Sequence, residues 1–343
     1  MRPAPLLIFG LFWAGSLAAQ SGTFTGPVEA YTFDAPTGSL RAVFGFAGAA
    51  SFGPMLRDRL EFASVAPLQN YSIGFERGQC LLISGLGSST LTTRSLTGVE
   101  IRPDGIAWSG DGSLAILYSF GGNWLQTISG LPSAPTVGAR VNGSTLGGML
   151  ASVAADAHGK QIAVGVIGDA GGDPGAVYQS SDGQNFTGLK QVAKPIALTF
   201  SIAAGSSAAT TLYVLDGSVP QVVAINMSSH GYQTIPLTGF ANPVAIQAVE
   251  TSQNSQQLYV AAASMLRILD IASQQIVADV ALSFKATGLN QFGSNSFVVA
   301  SRIQAASPLW LFTSSPQPGA YFVPAVQVTS PNRRRAEIFG GAR

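Results

Sequence analysis

Short apolar runs return along this chain at a nearly fixed interval, and that recurrence limits its fold more than any other feature. Residues 80–83 (CLLI), 114–117 (LAIL), 162–166 (IAVGV), 212–215 (LYVL), 258–261 (LYVA) and 297–300 (FVVA) form the clearest set. Anchored on Leu81, Leu114, Ile162, Leu212, Leu258 and Phe297, the steps are about 33, 48, 50, 46 and 39 residues. Gly, Pro, Ser, Asn and Asp clusters separate the runs, which is the pattern of strands joined by turns. After residue 20 no convincing segment carries apolar residues at i, i+3, i+4 and i+7, so the chain is all-β.

A step of about 43 residues matches a four-stranded unit repeated around an axis. Each anchor follows a turn, and small apolar segments such as 105–108, 150–154 and 243–246 lie upstream of most turns. Small side chains suit the innermost strand, where units crowd together. A second hairpin follows the anchors, as at 175–178 with its turn at 180–183. Residues 30–33 and 40–44 read as an outer hairpin with no inner strands before it. The spacing therefore predicts a seven-bladed β-propeller of four-stranded antiparallel blades, its closing blade shared by the N- and C-terminal segments. The tail, 325–343, supplies either closing strands, at 325–329 and 336–339, or a flexible end; in the second case the ring has six blades. Radial closure also removes the long exposed sheet edges that an open arrangement would keep.

Eighteen basic and 17 acidic side chains leave a net charge of +1, which provides no basic field for nucleic acid or anionic lipid. Residues 1–20 read as an export signal, with Arg2 ahead of an apolar run and small residues at a cleavage position. No later segment is long and apolar enough to span a bilayer. The expected product is an exported, periplasmic or extracellular monomer with one domain, 21–343. Cys80 is the single cysteine, so no internal disulfide staples the fold.

Several segments resemble known propeller repeats. Residues 258–280 look like a YVTN-type bacterial repeat, and 212–236 resemble it more loosely. Residues 106–115 are similar to the inner hairpin of TolB-like and WD-repeat propellers, and 177–186 resemble an Asp-box turn one residue short. The resemblance implies a fold and leaves function open, because such propellers serve as binding modules, scaffolds, lactonases, lyases and glycosidases alike.

Chemistry-bearing residues are sparse. His158 and His230 fall in turns, and Asp111, Asp182 and Asp270 occupy turn positions that cap backbone NH groups. Cys80 sits in an apolar run and reads as a buried hydrophobe. The basic run Arg333, Arg334 and Arg335 reads as a solvated turn. Trp124, after the turn at 121–123, is expected at an exposed hairpin tip as a recognition residue, whereas Trp108 and Trp310 are expected to pack between blades. Arg102, Asp104, Asp156 and Glu250 are the candidates for an axial site. The leading expectation is a non-catalytic binding or scaffolding module for a protein, small-molecule or carbohydrate ligand; the alternative is a secreted propeller enzyme of the lactonase, lyase or glycosidase type using those axial residues. No cofactor is expected except Ca²⁺ at Asp169 and Asp173, whose carboxylates on a Gly-rich backbone offer hard oxygen ligands, with a plain inter-strand loop as the alternative. Calorimetric titration with Ca²⁺ checks that site: binding heat and thermal stabilisation are expected from it, and the absence of both removes it.

Overall fold

The computed structural model describes residues 27–46, 48–168, 174–202, 209–250, 256–292, 296–302, 304, 306–314 and 318–325. Its strands form seven antiparallel sheets, and the fold is a seven-bladed β-propeller. Blade 1 holds β1 (Val28–Asp34), β2 (Ser39–Phe44) and β3 (Ser51–Arg57), and blade 2 holds β4 (Phe62–Val65), β5 (Tyr71–Glu76), β6 (Gln79–Ser84) and β7 (Thr92–Ser95). Blade 3 holds β8 (Gly105–Trp108), β9 (Leu114–Ser119), β10 (Trp124–Ser129) and β11 (Thr136–Asn142). Blade 4 is β12 (Gly148–Ala155), β13 (Ile162–Gly168), β14 (Ala176–Ser180) and β15 (Thr187–Gln191). Blade 5 is β16 (Pro195–Ile202), β17 (Ala209–Asp216), β18 (Gln221–Asn226) and β19 (Tyr232–Pro236). Blade 6 is β20 (Pro243–Glu250), β21 (Gln256–Ala262), β22 (Met265–Asp270) and β23 (Ile276–Ala281). Blade 7 is β24 (Asn290–Phe292), β25 (Ser296–Ala300), β26 (Leu309–Thr313) and β27 (Gly319–Val323). Among the described residues no helix is long and apolar enough to cross a membrane.

The core consists of seven apolar clusters, one at each contact between neighbouring blades. A middle strand is covered on both faces, so its residues are apolar without alternation. In β9, Leu114, Ala115, Ile116 and Leu117 are all buried. Outer strands face water, and all four residues of β7 are exposed. Five of the six anchors lie on second strands, but Leu81 lies on β6, the third strand of its blade. The second strand there is β5, and from Tyr71 to Leu114 the step is about 43 residues, close to the period. The aberrant first spacing came from that one-strand misplacement.

Blades 2 to 7 are four-stranded meanders, so their inner strands run the same way along the axis. We call the end where they begin the near mouth and the end where they finish the far mouth. In blade 1, Ser296 Oγ donates to Glu29 Oε1 at 3.2 Å by the far mouth. Arg302 Nη1 donates to Asp34 Oδ1 at 2.7 Å by the near mouth. β1 therefore runs against the inner strands and takes a second-strand position. The N-terminal segment thus contributes three strands instead of the single outer hairpin expected, and no described strand stands between β1 and the axis. The closing role expected of 325–343 falls on residues that, beyond Ala325, lie outside the described residues, as does the expected signal at 1–20.

Blades 7 and 1 meet through Ala30, Val43, Phe292, Leu311 and Val323. Beside that cluster Asp34 is shared by Arg302 and by Arg41, whose Nε lies 3.3 Å from Oδ2. Asp34, Arg41 and Arg302 are all buried, so each charge depends on its partners for what water would otherwise supply. Replacing Ile116 by Ala should cost about 2–5 kcal/mol, whereas Thr93→Ala on exposed β7 should change stability by no more than about 0.5 kcal/mol. Urea unfolding of the two variants measures that difference.

Candidate functional site

The inner strands surround an axial cavity of about 790 Å³. Its wall is mostly small and apolar, with Ala63, Ala107, Ala151, Val153, Ala197 and Ala245 drawn from five blades. Several polar groups on this wall tie one blade to the next. Trp108 Nε1 donates to Ser64 Oγ at 2.9 Å, and Ser152 Oγ donates to the Pro195 carbonyl at 2.6 Å. The Ala248 NH donates to Thr199 Oγ1 at 3.2 Å. At the far mouth the Asp111 NH donates to the Ala157 carbonyl at 2.8 Å, and the Tyr71 hydroxyl donates to the Gly112 carbonyl. The wall is therefore braced from blade 2 to blade 6.

The four axial candidates do not converge. Asp104 precedes β8 at the near mouth, and Glu250 ends β20 at the far mouth; both line the cavity. Arg102 is exposed beside the near mouth and donates from Nη1 to the Glu61 carbonyl at 3.2 Å. Asp156 is not a ligand-facing residue: it is 1% exposed, and its Oδ1 accepts from the NH groups of Lys160 and Gln161 at 2.7 and 3.0 Å. The turn after β12 uses that acceptor to hold the NH groups of exposed Lys160 and half-buried Gln161 to the buried carboxylate. Trp124 is also not at an exposed tip. It opens β10, is 6% exposed, and lies under the Arg140 guanidinium at 5.5 Å.

Trp108 packs edge-on against Tyr71 of the preceding blade, as expected of it, and Trp310 stacks on Phe284 with ring centroids 4.2 Å apart. Asp169 and Asp173 lie outside the described residues, among which no group of three or more His, Cys, Asp or Glu side chains could hold a metal ion. Burial pushes the Cys80 thiol up to about 12, which keeps it protonated and unreactive. His158 Nδ1 lies 3.8 Å from Asp111 Oδ2, joining the exposed turns of blades 3 and 4. Asp182 accepts from the Gln184 and Asn185 NH groups at 2.8 Å each. Hydrogen bonds from Asn185 lead the set that holds the Asp182 carboxyl well below its usual range. Asp216 and Asp270 cap their turns in the same way through Ser218 and Ser273.

Sequence reasoning passed over Tyr118 and Phe120, which flank the Asp104 loop. Tyr118 pairs with Gly105 in register, and a Cβ at Gly105 would run into the Tyr118 ring. A glycine opposite an aromatic at the start of an inner strand was the available signal. The two rings sit 4.7 Å apart and tilted by 32°. Asp104 Oδ2 accepts from Ser119 Oγ at 2.8 Å and from the Gly121 NH at 3.3 Å. Burial, and secondarily the Asp104 charge, raises the Tyr118 phenol above its ordinary value.

The architecture and the braced channel define the class, a seven-bladed propeller with an axial cavity. No protein-family model and no curated protein matches the chain. Among solved structures it is similar to a functionally unknown protein from Desulfotomaculum acetoxidans, at 9% identity and a TM-score of 0.53, covering 87% of this chain and 100% of that one. It is also similar to the dihydro-heme d1 dehydrogenase NirN in complex with DHE, at 12% identity and a TM-score of 0.51, covering 88% of this chain and 64% of that one. Regucalcin, a calcium-binding protein from Agrobacterium tumefaciens, aligns at 15% identity and a TM-score of 0.47, covering 71% of this chain and 82% of that one. At these identities the likeness concerns the fold alone.

Replacing Asp156 by Ala should destabilise the protein by about 1–2 kcal/mol, because the turn loses two hydrogen bonds to a charged acceptor. Denaturant melts measure the loss, and ligand affinity measured below the melt should not change.

Proposed function

We propose that the chain is an exported, monomeric, non-catalytic binding module of the bacterial repeat-propeller type, its ligand seated in the axial channel. One observation carries the reading: the carboxylates that could work as an acid and base pair stand at opposite mouths, Asp104 at one and Glu250 at the other. Hydrolysis of a glycoside needs two such groups facing one bond, within about 10 Å. The braced wall supports the same reading, since a cavity that keeps its shape without a ligand spends little ordering entropy on binding one. The leader-like segment at 1–20 supports export.

A thermal-shift panel of amines, peptides and oligosaccharides tests the module. At least one class should raise the melting temperature by mass action. Ala151→Trp, placed on the wall at a bulge of β12 outside the apolar clusters, should abolish that shift by filling the channel. Turnover of a lactone, ester or glycoside that disappears in Asp104→Asn or Glu250→Gln would replace the module with an enzyme. Mass spectrometry of the secreted product should find a new N-terminus near residue 21, and an unprocessed chain would remove the export assignment.

A further inference from the structure

We infer that the near mouth binds a primary ammonium group on an unbranched alkyl chain, with the head at Asp104 beside Tyr118 and Phe120 and the methylenes along the channel wall. The inference rests on the channel-ligand reading above and specifies the chemical class of the ligand. Asp104 lines the cavity and is held in place by Ser119 Oγ and the Gly121 NH, both on Oδ2. Its Oδ1 has no hydrogen-bond partner among the described residues. A fixed carboxylate oxygen can only accept, so its complement is a donor, and a charged donor binds it most strongly. Tyr118 and Phe120 line the same mouth. Aromatic faces attract an ammonium through their quadrupole even at a mouth open to water, as this one is at exposed Asp104.

A carboxylate without an ion-pair partner favours a cation over a neutral donor. Among the described residues three side chains carrying full charges line the channel: Asp104, Glu250 and Arg302. Arg302 shares buried Asp34 with Arg41, a trio that keeps one positive charge, whereas neither Asp104 nor Glu250 has a salt bridge among the described residues. The full charges on the wall therefore sum to −1, and at the near mouth, with Arg102 exposed beside it, Asp104 is the carboxylate left without an ion-pair partner among the described residues. Beyond the mouth, Ala107, Ala151, Val153 and Ala197 offer apolar contact that suits methylene groups. A free alkylamine and a lysine side chain on a polypeptide share this chemistry.

Calorimetry on the full chain at low salt, with hexylamine, hexan-1-ol, maltose and Nα-acetyl-lysine amide, tests the inference. Hexylamine or the lysine amide should bind at least about tenfold more tightly than hexanol, and raising the salt should weaken the amines only. Tighter binding of the lysine amide assigns the site to a polypeptide side chain, and tighter binding of hexylamine assigns it to a free amine; either result supports the ammonium site. Asp104→Asn should lower amine affinity by about tenfold or more, and Tyr118→Leu by several-fold. Equal binding of hexanol and hexylamine, or a folded Asp104→Asn that retains full amine affinity, overturns the ammonium assignment and leaves the channel-ligand reading standing. Binding of maltose alone overturns it likewise. The comparison of hexanol with hexylamine uses only the unmodified protein, so it decides the matter even if a variant does not fold.

Discussion

Apolar burial between neighbouring blades is the constraint on which everything else depends. A single four-stranded meander of this composition would leave two oily faces in water, and no described blade could hide both on its own. Stacking each blade between two others buries both faces of the middle strands, as at Ile116 and Leu117 of β9 and at Leu81 to Ile83 of β6. Repeating that contact seven times closes a ring and leaves a hole along the axis. The inner strands reach this axis through small residues, and the hydroxyls of Ser64, Ser152 and Thr199 brace one blade against the next. The channel is a by-product of packing that has been made rigid.

That constraint also decides what could be read from the amino acids. Middle strands are legible because two-sided burial removes polar residues, which produces the runs at 114–117, 212–215 and 258–261. Outer strands such as β7, Thr92–Ser95, are solvated throughout and resemble loops in composition. The error at Leu81 has the same cause: β5 and β6 are equally buried, and Ser72 and Gly74 made β5 look weaker than β6. The number of blades was legible, whereas the position of the N-terminal hairpin within its blade was not. That position depends on the direction of β1, which only the contacts of Glu29 and Asp34 with blade 7 reveal.

The candidate site was legible to a smaller extent. Asp104 and Glu250 stand out because carboxylates are rare here, and both reach the channel. Asp156 looked the same in sequence but turns inward to satisfy backbone NH groups, a distinction set by local turn geometry. Trp124 follows a turn of Gly and Asn that suggested a tip, yet it begins a strand and is covered from the next one by Arg140. Tyr118 and Phe120 were hidden because they end an apolar strand and read as core. The position of the Tyr118 ring depends on the absence of a side chain at Gly105.

The seam between the first and last blades has a kinetic side. Arg302 and Asp34 are 268 positions apart, whereas every other blade junction joins consecutive stretches of chain. Bringing such distant segments together costs loop-closure entropy that must be met before their contacts give anything back. During synthesis, blades 2 to 6 can assemble in order as they emerge, while the bare flank of the first blade waits for the seventh. Until that moment its oily side is available to other molecules, so the circle is most exposed to misassembly just before it is complete.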